Sequence, residues 1–168
     1  PTLDQARQMV QQLHNDLPTL RARAATALDL LRQQANVDVT RVAAIGFCFG
    51  GTTVLELARS GADIACAIGF HGGLATSAPA QPGVIRGKVL VCQGADDPII
   101  TAEHRSDFAT EMTRAGVDWQ MHVYGGVGHS FTNPEIDRWN FPGFAYDERA
   151  DRRSWLAMRA LLGEVFRQ

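Results

Sequence analysis

The sequence predicts an α/β protein in which a mainly parallel β-sheet carries helices on both faces. Its strand candidates are continuous apolar runs, which are typical of strands buried on both sides. From Arg41 onward these runs alternate with amphipathic helical patterns, as expected of parallel strands joined by helical crossovers. The length of 168 residues suits a single domain, 1–168, with a core of ordinary size.

Each predicted element has its own signal. Two amphipathic helices come first: Thr2 can cap one of them, and Pro18 can open the other, which we expect to run to about residue 35. Thr101 and Asp147 can cap the two last helices. The predicted strands occupy residues 42–47, 64–70, 88–93 and 119–124, and a long loop is expected at 125–146.

Composition excludes several classes of function. The net charge is −2 and no basic stripe is present, so nucleic acid is not an expected partner. No apolar run approaches the ~20 residues that span a bilayer, and the signal-peptide order of charged then apolar residues is missing. We therefore expect no membrane contact and a cytoplasmic location. The cysteines form no CxxC pair, so no metal site is expected, and Cys66 and Cys92 are predicted core residues.

A potential nucleophile lies between the first strand and the following helix, in the sequence GFCFGG at 46–51. A sharp strand-to-helix turn leaves no room for a side chain two residues before or after its tip, and Gly46 and Gly50 meet that demand. The tip residue, Cys48, would lie at a helix N-terminus, where free N–H groups favour a thiolate. Cys48 is therefore the candidate nucleophile. The alternative is a buried structural cysteine beside a glycine-rich turn.

A thiol nucleophile needs a base, and the base needs a carboxylate to orient it. His129 is the predicted base, because a flexible glycine-rich loop could bring its imidazole over the strand ends. Asp96 and Asp97 follow the third strand, and Pro98 favours Asp97 as the acid by holding it extended. The reversed assignment of the two aspartates stays open.

The remaining histidines are weaker candidates for the base. His71 follows the second strand, before any acid has appeared in the chain, and a role in lining or supporting the pocket fits it better. Solvated or packed side chains are expected at His14, His104 and His122.

The order of nucleophile, acid and histidine is the order found in α/β-hydrolases. The motifs GFCFGG at 46–51, GFHGG at 69–73, GADDP at 94–98 and GHSFTNP at 128–134 resemble successive signatures of the dienelactone hydrolase family, a cysteine-triad branch of that fold. The resemblance extends from roughly residue 20 to the C-terminus.

The resemblance implies an α/β-hydrolase-like fold and a Cys-His-Asp triad. It assigns Cys48 as nucleophile, His129 as base and Asp97 as the orienting carboxylate. It also implies an oxyanion hole in which the N–H of Phe49 is one donor, and hydrolysis of an ester or lactone through a thioester, without a cofactor.

The sequence differs from the family pattern at its N-terminus. Members of the family carry several more strands before the two N-terminal helices, so the chain is expected to be the C-terminal part of the fold, with about four strands and an incomplete N-terminus. The absent segment would supply the second oxyanion donor. Because the first strand would form an apolar sheet edge, we expect a homodimer partner or an N-terminal segment to pair with it.

The leading hypothesis is a hydrolase for a small uncharged ester or lactone, with a substrate pocket lined by His71, Phe47 and Phe131. Promiscuous cleavage of phosphotriesters by the same triad is an alternative. A hydrolase-like module that binds or dimerises without catalysis is another. A thiol redox sensor is the third, with Cys92 on a neighbouring strand as its resolving thiol.

Overall fold

The computed structural model describes residues 3–166, so the predicted cap at Thr2 lies outside the described residues. In chain order the elements are α1 (Leu3–Asn15), α2 (Leu17–Arg32), β1 (Ala43–Phe47), α3 (Phe49–Arg59), β2 (Cys66–Phe70), β3 (Lys88–Gly94), α4 (Ala102–Arg114), β4 (Trp119–Tyr124), a short 3₁₀ helix (Ile136–Trp139) and α5 (Glu148–Val165).

Local capping signals place several of these helices. The side chain of Thr101 accepts the N–H of His104 at 3.2 Å, and Asp147 caps α5 as predicted. The predicted start of α2 at Pro18 is wrong by one residue, because the Asp16 side chain accepts the N–H of Thr19 and caps the helix. The predicted end near residue 35 is also too late. The 3₁₀ helix inside the predicted loop 125–146 was not expected.

The four strands form one parallel sheet in the order β1-β2-β3-β4. Alternate residues of β3 enter two different cores, as the two-residue period of a strand requires. Val89 and Val91 pack with side chains of α2, α3 and α4 on one face. Leu90 and Cys92 pack with side chains of α5 on the other. The expected sheet with helices on both faces is confirmed, and so are the predicted core positions of Cys66 and Cys92.

A buried network of ion pairs joins three helices on the first of these faces. Glu56 of α3 accepts hydrogen bonds from Arg21 of α2 at 2.7 Å and from Arg59 at 2.9 Å. Arg59 also pairs with Glu111 of α4 at 2.7 Å and donates to the carbonyl of Leu74 at 2.8 Å. The network therefore fixes the chain as it leaves β2, close to the strand ends.

Strand β1 lies at the edge of the sheet within residues 3–166. The β2 strand is buried throughout, whereas Ile45 and Phe47 of β1 are 41% and 43% exposed. An apolar strand with an open edge favours pairing with another strand. The expected cover, a second copy or a further N-terminal segment, stays a prediction. No helix in the described part of the chain is long and apolar enough to cross a membrane.

Close backbone packing shapes the turn between β1 and α3. A Cβ on Gly46 would overlap the carbonyl group of Gly50, and a Cβ on Gly72 would lie 2.8 Å from the backbone of Gly51. In contrast, a Cβ on Gly50 would meet nothing within 4 Å in this structure. The expectation that Gly50 has no room for a side chain is therefore wrong, because the tight contact is made by its carbonyl and not by its Cα.

This asymmetry predicts opposite results for two alanine substitutions. Gly46→Ala should lower the free energy of unfolding by about 3 kcal/mol, the upper end of the usual range, because the overlap is with backbone that cannot rotate away. Gly50→Ala is the matched control and should be within about 0.5 kcal/mol of the parent or slightly more stable, since alanine favours a helix. Urea unfolding followed by circular dichroism measures both. Equal losses for the two variants would contradict the packing described here.

Candidate active site

Cys48 occupies the tip of the turn between β1 and α3. Its backbone has φ 51° and ψ −120°, a conformation that is rare for a residue with a side chain. The turn is held by the N–H of Cys48, which donates to the carbonyl of Phe70 at 3.0 Å, and by the N–H of Gly51, which donates to the carbonyl of Cys48 at 2.9 Å. Cys48 is exposed, so the alternative of a buried structural cysteine is wrong.

Three side chains at the carboxyl end of the sheet form a hydrogen-bonded line. Nε2 of His129 lies 3.2 Å from Sγ of Cys48. Nδ1 of the same ring lies 2.7 Å from Oδ2 of Asp97. Both His129 and Asp97 are buried. The arrangement aligns a thiol, an imidazole and a carboxylate in the order that general-base activation of a nucleophile needs.

Asp97, not Asp96, is the aspartate that contacts His129. Its Oδ1 accepts the N–H groups of Ile99 and Ile100 at 2.7 and 3.1 Å, which leaves Oδ2 directed at the imidazole. Asp96 is exposed. The geometry therefore favours Asp97 over the reversed assignment.

Backbone hydrogen bonds to a second segment, residues 143–145, hold the loop that carries His129. The N–H of His129 donates to the carbonyl of Gly143 at 2.8 Å, and the N–H of Ala145 donates to the carbonyl of His129 at 3.2 Å. The ring of Phe144 packs edge-on against the imidazole, with centroids 4.7 Å apart. Phe144 and Gly143 had no local sequence signal, because their role comes from a contact across the loop.

The geometry favours His129 over His71 as the base, because the hydrogen bonds of His71 go to other partners than the Asp97 carboxylate and the Cys48 sulfur. Nδ1 of His71 accepts the N–H of Cys48 at 3.2 Å, and its Nε2 lies 2.9 Å from the hydroxyl of Thr132. It is 2% exposed. The expectation that His71 lines an open pocket is therefore wrong in this structure, whereas the supporting role that was set beside it agrees with these contacts. Thr132 was missed by the sequence analysis.

The two phenylalanines predicted for the pocket differ in their surroundings. Phe131 is fully buried in the core on the α5 side, so it offers no surface to a ligand and its assignment to the pocket is wrong here. Phe47 is exposed and stacks on Phe70 with centroids 4.7 Å apart. Phe47 borders a cavity of about 520 Å³ that is also lined by Thr132, Asp151, Arg152, Trp155, Leu156 and Arg159.

Helix α1 lies against the same end of the molecule. The His14 ring of α1 meets the ring of Phe49 edge-on at 6.0 Å. The Arg7 guanidinium lies 5.7 Å from the centroid of Phe141, and Phe141 in turn contacts Phe144. Aromatic contacts thus connect α1 to the turn of Cys48 and to the loop of His129.

Residues 2–166 match the sequence profile of the Dienelactone hydrolase family. The chain belongs to this family of hydrolases. The match covers the two N-terminal helices as well as the four motifs, and so extends further than the resemblance described from residue 20.

Two proteins with solved structures share the fold of this chain. The protein named m3DLH is 48% identical, with a TM-score of 0.91 over 98% of this chain and 69% of its own. P91, described as a dienelactone hydrolase-like promiscuous phosphotriesterase from metagenomic libraries, is 45% identical, with a TM-score of 0.88 over 96% of this chain and 67% of its own. The predicted α/β-hydrolase-like fold is thereby confirmed.

Curated relatives in the family differ in length from this chain. Carboxymethylenebutenolidase 1 of Cupriavidus pinatubonensis is 35% identical over 58% of this chain and 42% of its own. The chain spans about half the length of that protein and of two other relatives, of which it covers 46% and 56%. An uncharacterized protein of Caenorhabditis elegans, K02A2.1, is 32% identical over 88% of this chain and 94% of its own length.

The charges of the hydrogen-bonded line favour a thiolate beside an imidazolium. Burial opposes ionisation of both groups, but other effects outweigh it. The hydrogen bonds and charges of Asp97 and Cys48 raise the pKa of His129 to about 9. The hydrogen bond and charge of His129, with the Phe49 N–H, lower the pKa of Cys48 below its ordinary value of 9.0.

These shifts predict the pH dependence of Cys48 alkylation by iodoacetamide. The thiolate is the reactive form. The alkylation rate should therefore stay high at pH values below the pKa of a free thiol, and should fall only when acid protonates the Cys48 thiolate. In His129→Ala the midpoint should move up, because the charge that lowers the thiol pKa is removed. Intact mass against time at each pH gives the rate. An unchanged midpoint in His129→Ala would contradict the ion pair.

Proposed function

We propose that this protein hydrolyses carboxylic esters or lactones through a thioester on Cys48. The observation that carries the proposal is the hydrogen-bonded line from an exposed sulfur to a buried carboxylate, with 3.2 Å from Cys48 to His129 and 2.7 Å from His129 to Asp97. Membership of a hydrolase family supports it. The reaction needs water and no cofactor.

In the first half of the proposed reaction, the Cys48 thiolate attacks the carbonyl carbon and a carbon–sulfur bond forms. Negative charge develops on the carbonyl oxygen, where the N–H of Phe49 at the start of α3 is the proposed donor. The tetrahedral intermediate collapses, the carbon–oxygen bond of the ester breaks, and the imidazolium of His129 gives its proton to the leaving alkoxide. In a lactone the released hydroxyl remains attached to the acyl group.

In the second half, neutral His129 takes a proton from water, which attacks the thioester. The carbon–sulfur bond breaks, the acid product leaves, and the pair returns to thiolate and imidazolium. Asp97 orients the ring throughout and stabilises its positive charge, while the N–H groups of Ile99 and Ile100 hold the carboxylate in place. Every group in the cycle is therefore restored.

The proposed substrate is a small uncharged ester, and a lactone is the favoured form. Phe47, next to Cys48 in the chain and 43% exposed, offers apolar surface for the acyl part. The relative from Cupriavidus carries in its name a butenolide, which is a cyclic unsaturated ester. The apolar surface of Phe47 lies beside the turn whose N–H group is proposed to stabilise an anion. This combination suits a substrate that is uncharged when it binds and becomes charged only in the transition state.

Phosphotriester hydrolysis is a second candidate, favoured by 45% identity to P91, which is described as a promiscuous phosphotriesterase. Attack of the Cys48 thiolate on phosphorus would place negative charge on the phosphoryl oxygen, much as attack on a carbonyl does. The same donor could then stabilise it. The phosphorus–oxygen bond to the leaving alkoxide or phenolate would break and leave a phosphorus–sulfur intermediate. Water, with His129 as base, would then attack phosphorus, break the phosphorus–sulfur bond and restore the thiolate.

Two neighbouring aspartates test the proposed ester hydrolysis. Asp97→Asn should lower kcat/KM for p-nitrophenyl acetate by about 10³-fold or more, because an amide would donate to Nδ1 and favour the wrong imidazole tautomer. Asp96→Asn is the matched control and should change kcat/KM less than about twofold, as expected for an exposed side chain. Equal activity of the two variants, both folded, would contradict the assignment and favour the non-catalytic binding module.

Paraoxon tests the second candidate. We expect slow, continuous release of p-nitrophenol that is lost in Cys48→Ala, because the attack at phosphorus uses the same sulfur. Absorbance of p-nitrophenolate measures the rate. Release that stops after one equivalent would show phosphorylation of Cys48 without turnover, and would restrict the activity to carboxylic esters and lactones.

A further inference from the structure

A second chain of hydrogen bonds connects the turn of Cys48 with the loop of His129, and it passes through His71. The N–H of Cys48 is shared between the carbonyl of Phe70 at 3.0 Å and Nδ1 of His71 at 3.2 Å, and Nε2 of His71 lies 2.9 Å from the Thr132 hydroxyl. Thr132 follows His129 by three residues in the chain. The nucleophile and the base are thus joined twice, once directly and once through His71.

The geometry determines the tautomer of His71. A backbone N–H can only donate, so Nδ1 must present a lone pair to Cys48 and carries no proton. The proton of a neutral ring is then on Nε2, which donates to the hydroxyl oxygen of Thr132. If Nδ1 were protonated, its N–H would point at the backbone N–H of Cys48, and two donors would face each other without an acceptor. The bond to Cys48 therefore holds the His71 ring neutral as well as fixing its orientation.

The surroundings of the His71 ring also disfavour a positive charge. It is 2% exposed and packs edge-on against Phe131, with Phe47 on another side. The titratable groups that face it are His129, with ring centroids 5.1 Å apart, Cys48, whose N–H it accepts, and Asp97 beyond His129. Burial, and then the charge of His129, lower the pKa of His71 to about 3, although Asp97 opposes the shift.

We propose that His71 is a positioning residue which, as a neutral imidazole protonated on Nε2, holds the Cys48 turn and the His129 loop at their working distance through Thr132. It also leaves His129 as the imidazole in this cluster that carries the positive charge. The catalytic consequence rests on the hydrolase function proposed above. The tautomer and the bonds to Cys48 and Thr132 do not depend on that function.

Nitrogen NMR of histidine-labelled protein tests the tautomer without any substrate. We expect His71 to show a bare Nδ1 and a protonated Nε2 throughout the range from about pH 5 to pH 9, while His129 changes state toward the upper end of that range. The ring-nitrogen signals of His71 are identified as those that disappear in His71→Asn, and the signals of His129 as those that disappear in His129→Ala. A His71 ring that titrates near its ordinary value, or that carries its proton on Nδ1, would overturn the proposal.

Substitutions of Thr132 test the positioning role. Thr132→Val removes the acceptor while keeping the volume, and should slow both Cys48 alkylation and acylation by ester about tenfold with KM nearly unchanged, the size expected for one lost hydrogen bond. Thr132→Ser restores a hydroxyl and should recover the rates. Thr110→Val, on the exposed surface of α4, is the matched control. Rates in Thr132→Val equal to the parent, or no recovery in Thr132→Ser, would overturn the role.

A double-substitution cycle separates this inference from the proposed function. His71→Asn keeps an acceptor near the Cys48 N–H and tolerates the φ of 39° at this position, but it cannot reach Thr132. Combined with Thr132→Val it should slow alkylation no further than either change alone, since both break the same bond. Additive losses would overturn the inference. A protein that obeys the cycle but hydrolyses no ester would refute only the proposed function.

Discussion

Parallel pairing of the strands is the constraint on which the site depends. The register sets Phe47 beside Phe70 and Gly94 beside Tyr124, so all four strands end at one edge of the sheet. The segments that follow them then meet in space although they are far apart in the chain. Cys48 comes from the first and Asp97 from the third, and His129 comes from the fourth. A slip in this register would separate the sulfur from the imidazole without changing either loop.

The site is also where the backbone is most strained. Four non-glycine residues in the range 3–166 have positive φ, and three of them belong to the site: Cys48 carries the sulfur, His71 accepts its N–H, and Ser130 follows His129 in the chain. Such conformations cost about 1–3 kcal/mol each and persist only where the surroundings hold them. Here the support comes from β2, which is buried throughout, and from β3, which is buried after Lys88. The close contact of Gly51 with Gly72 and the ion pairs of Glu56 and Arg59 add to it.

Sequence alone predicted much of this arrangement because its signals are local. The β4 strand has the predicted bounds, and Thr101 and Asp147 cap the helices they precede. Asp97, which Pro98 favoured, is the aspartate that lies beside His129. The failures concern contacts that no local pattern encodes. Space for a side chain at Gly50 exists because its carbonyl, and not its Cα, makes the close contact with Gly46. The backbone of His129 is held by Gly143, which is distant in the chain. Phe131 is buried because it packs with side chains of α5. The bridge through His71 to Thr132 likewise joins residues from different loops.

The central claim is that Cys48 becomes acylated during turnover, and intact mass after brief exposure to p-nitrophenyl acetate tests it most directly. The account predicts one acetyl group per chain, located on Cys48 by peptide mapping, which forms as p-nitrophenol is released and then disappears as substrate is exhausted. Release of p-nitrophenol with no adduct on Cys48, or with an adduct at another residue, would contradict it.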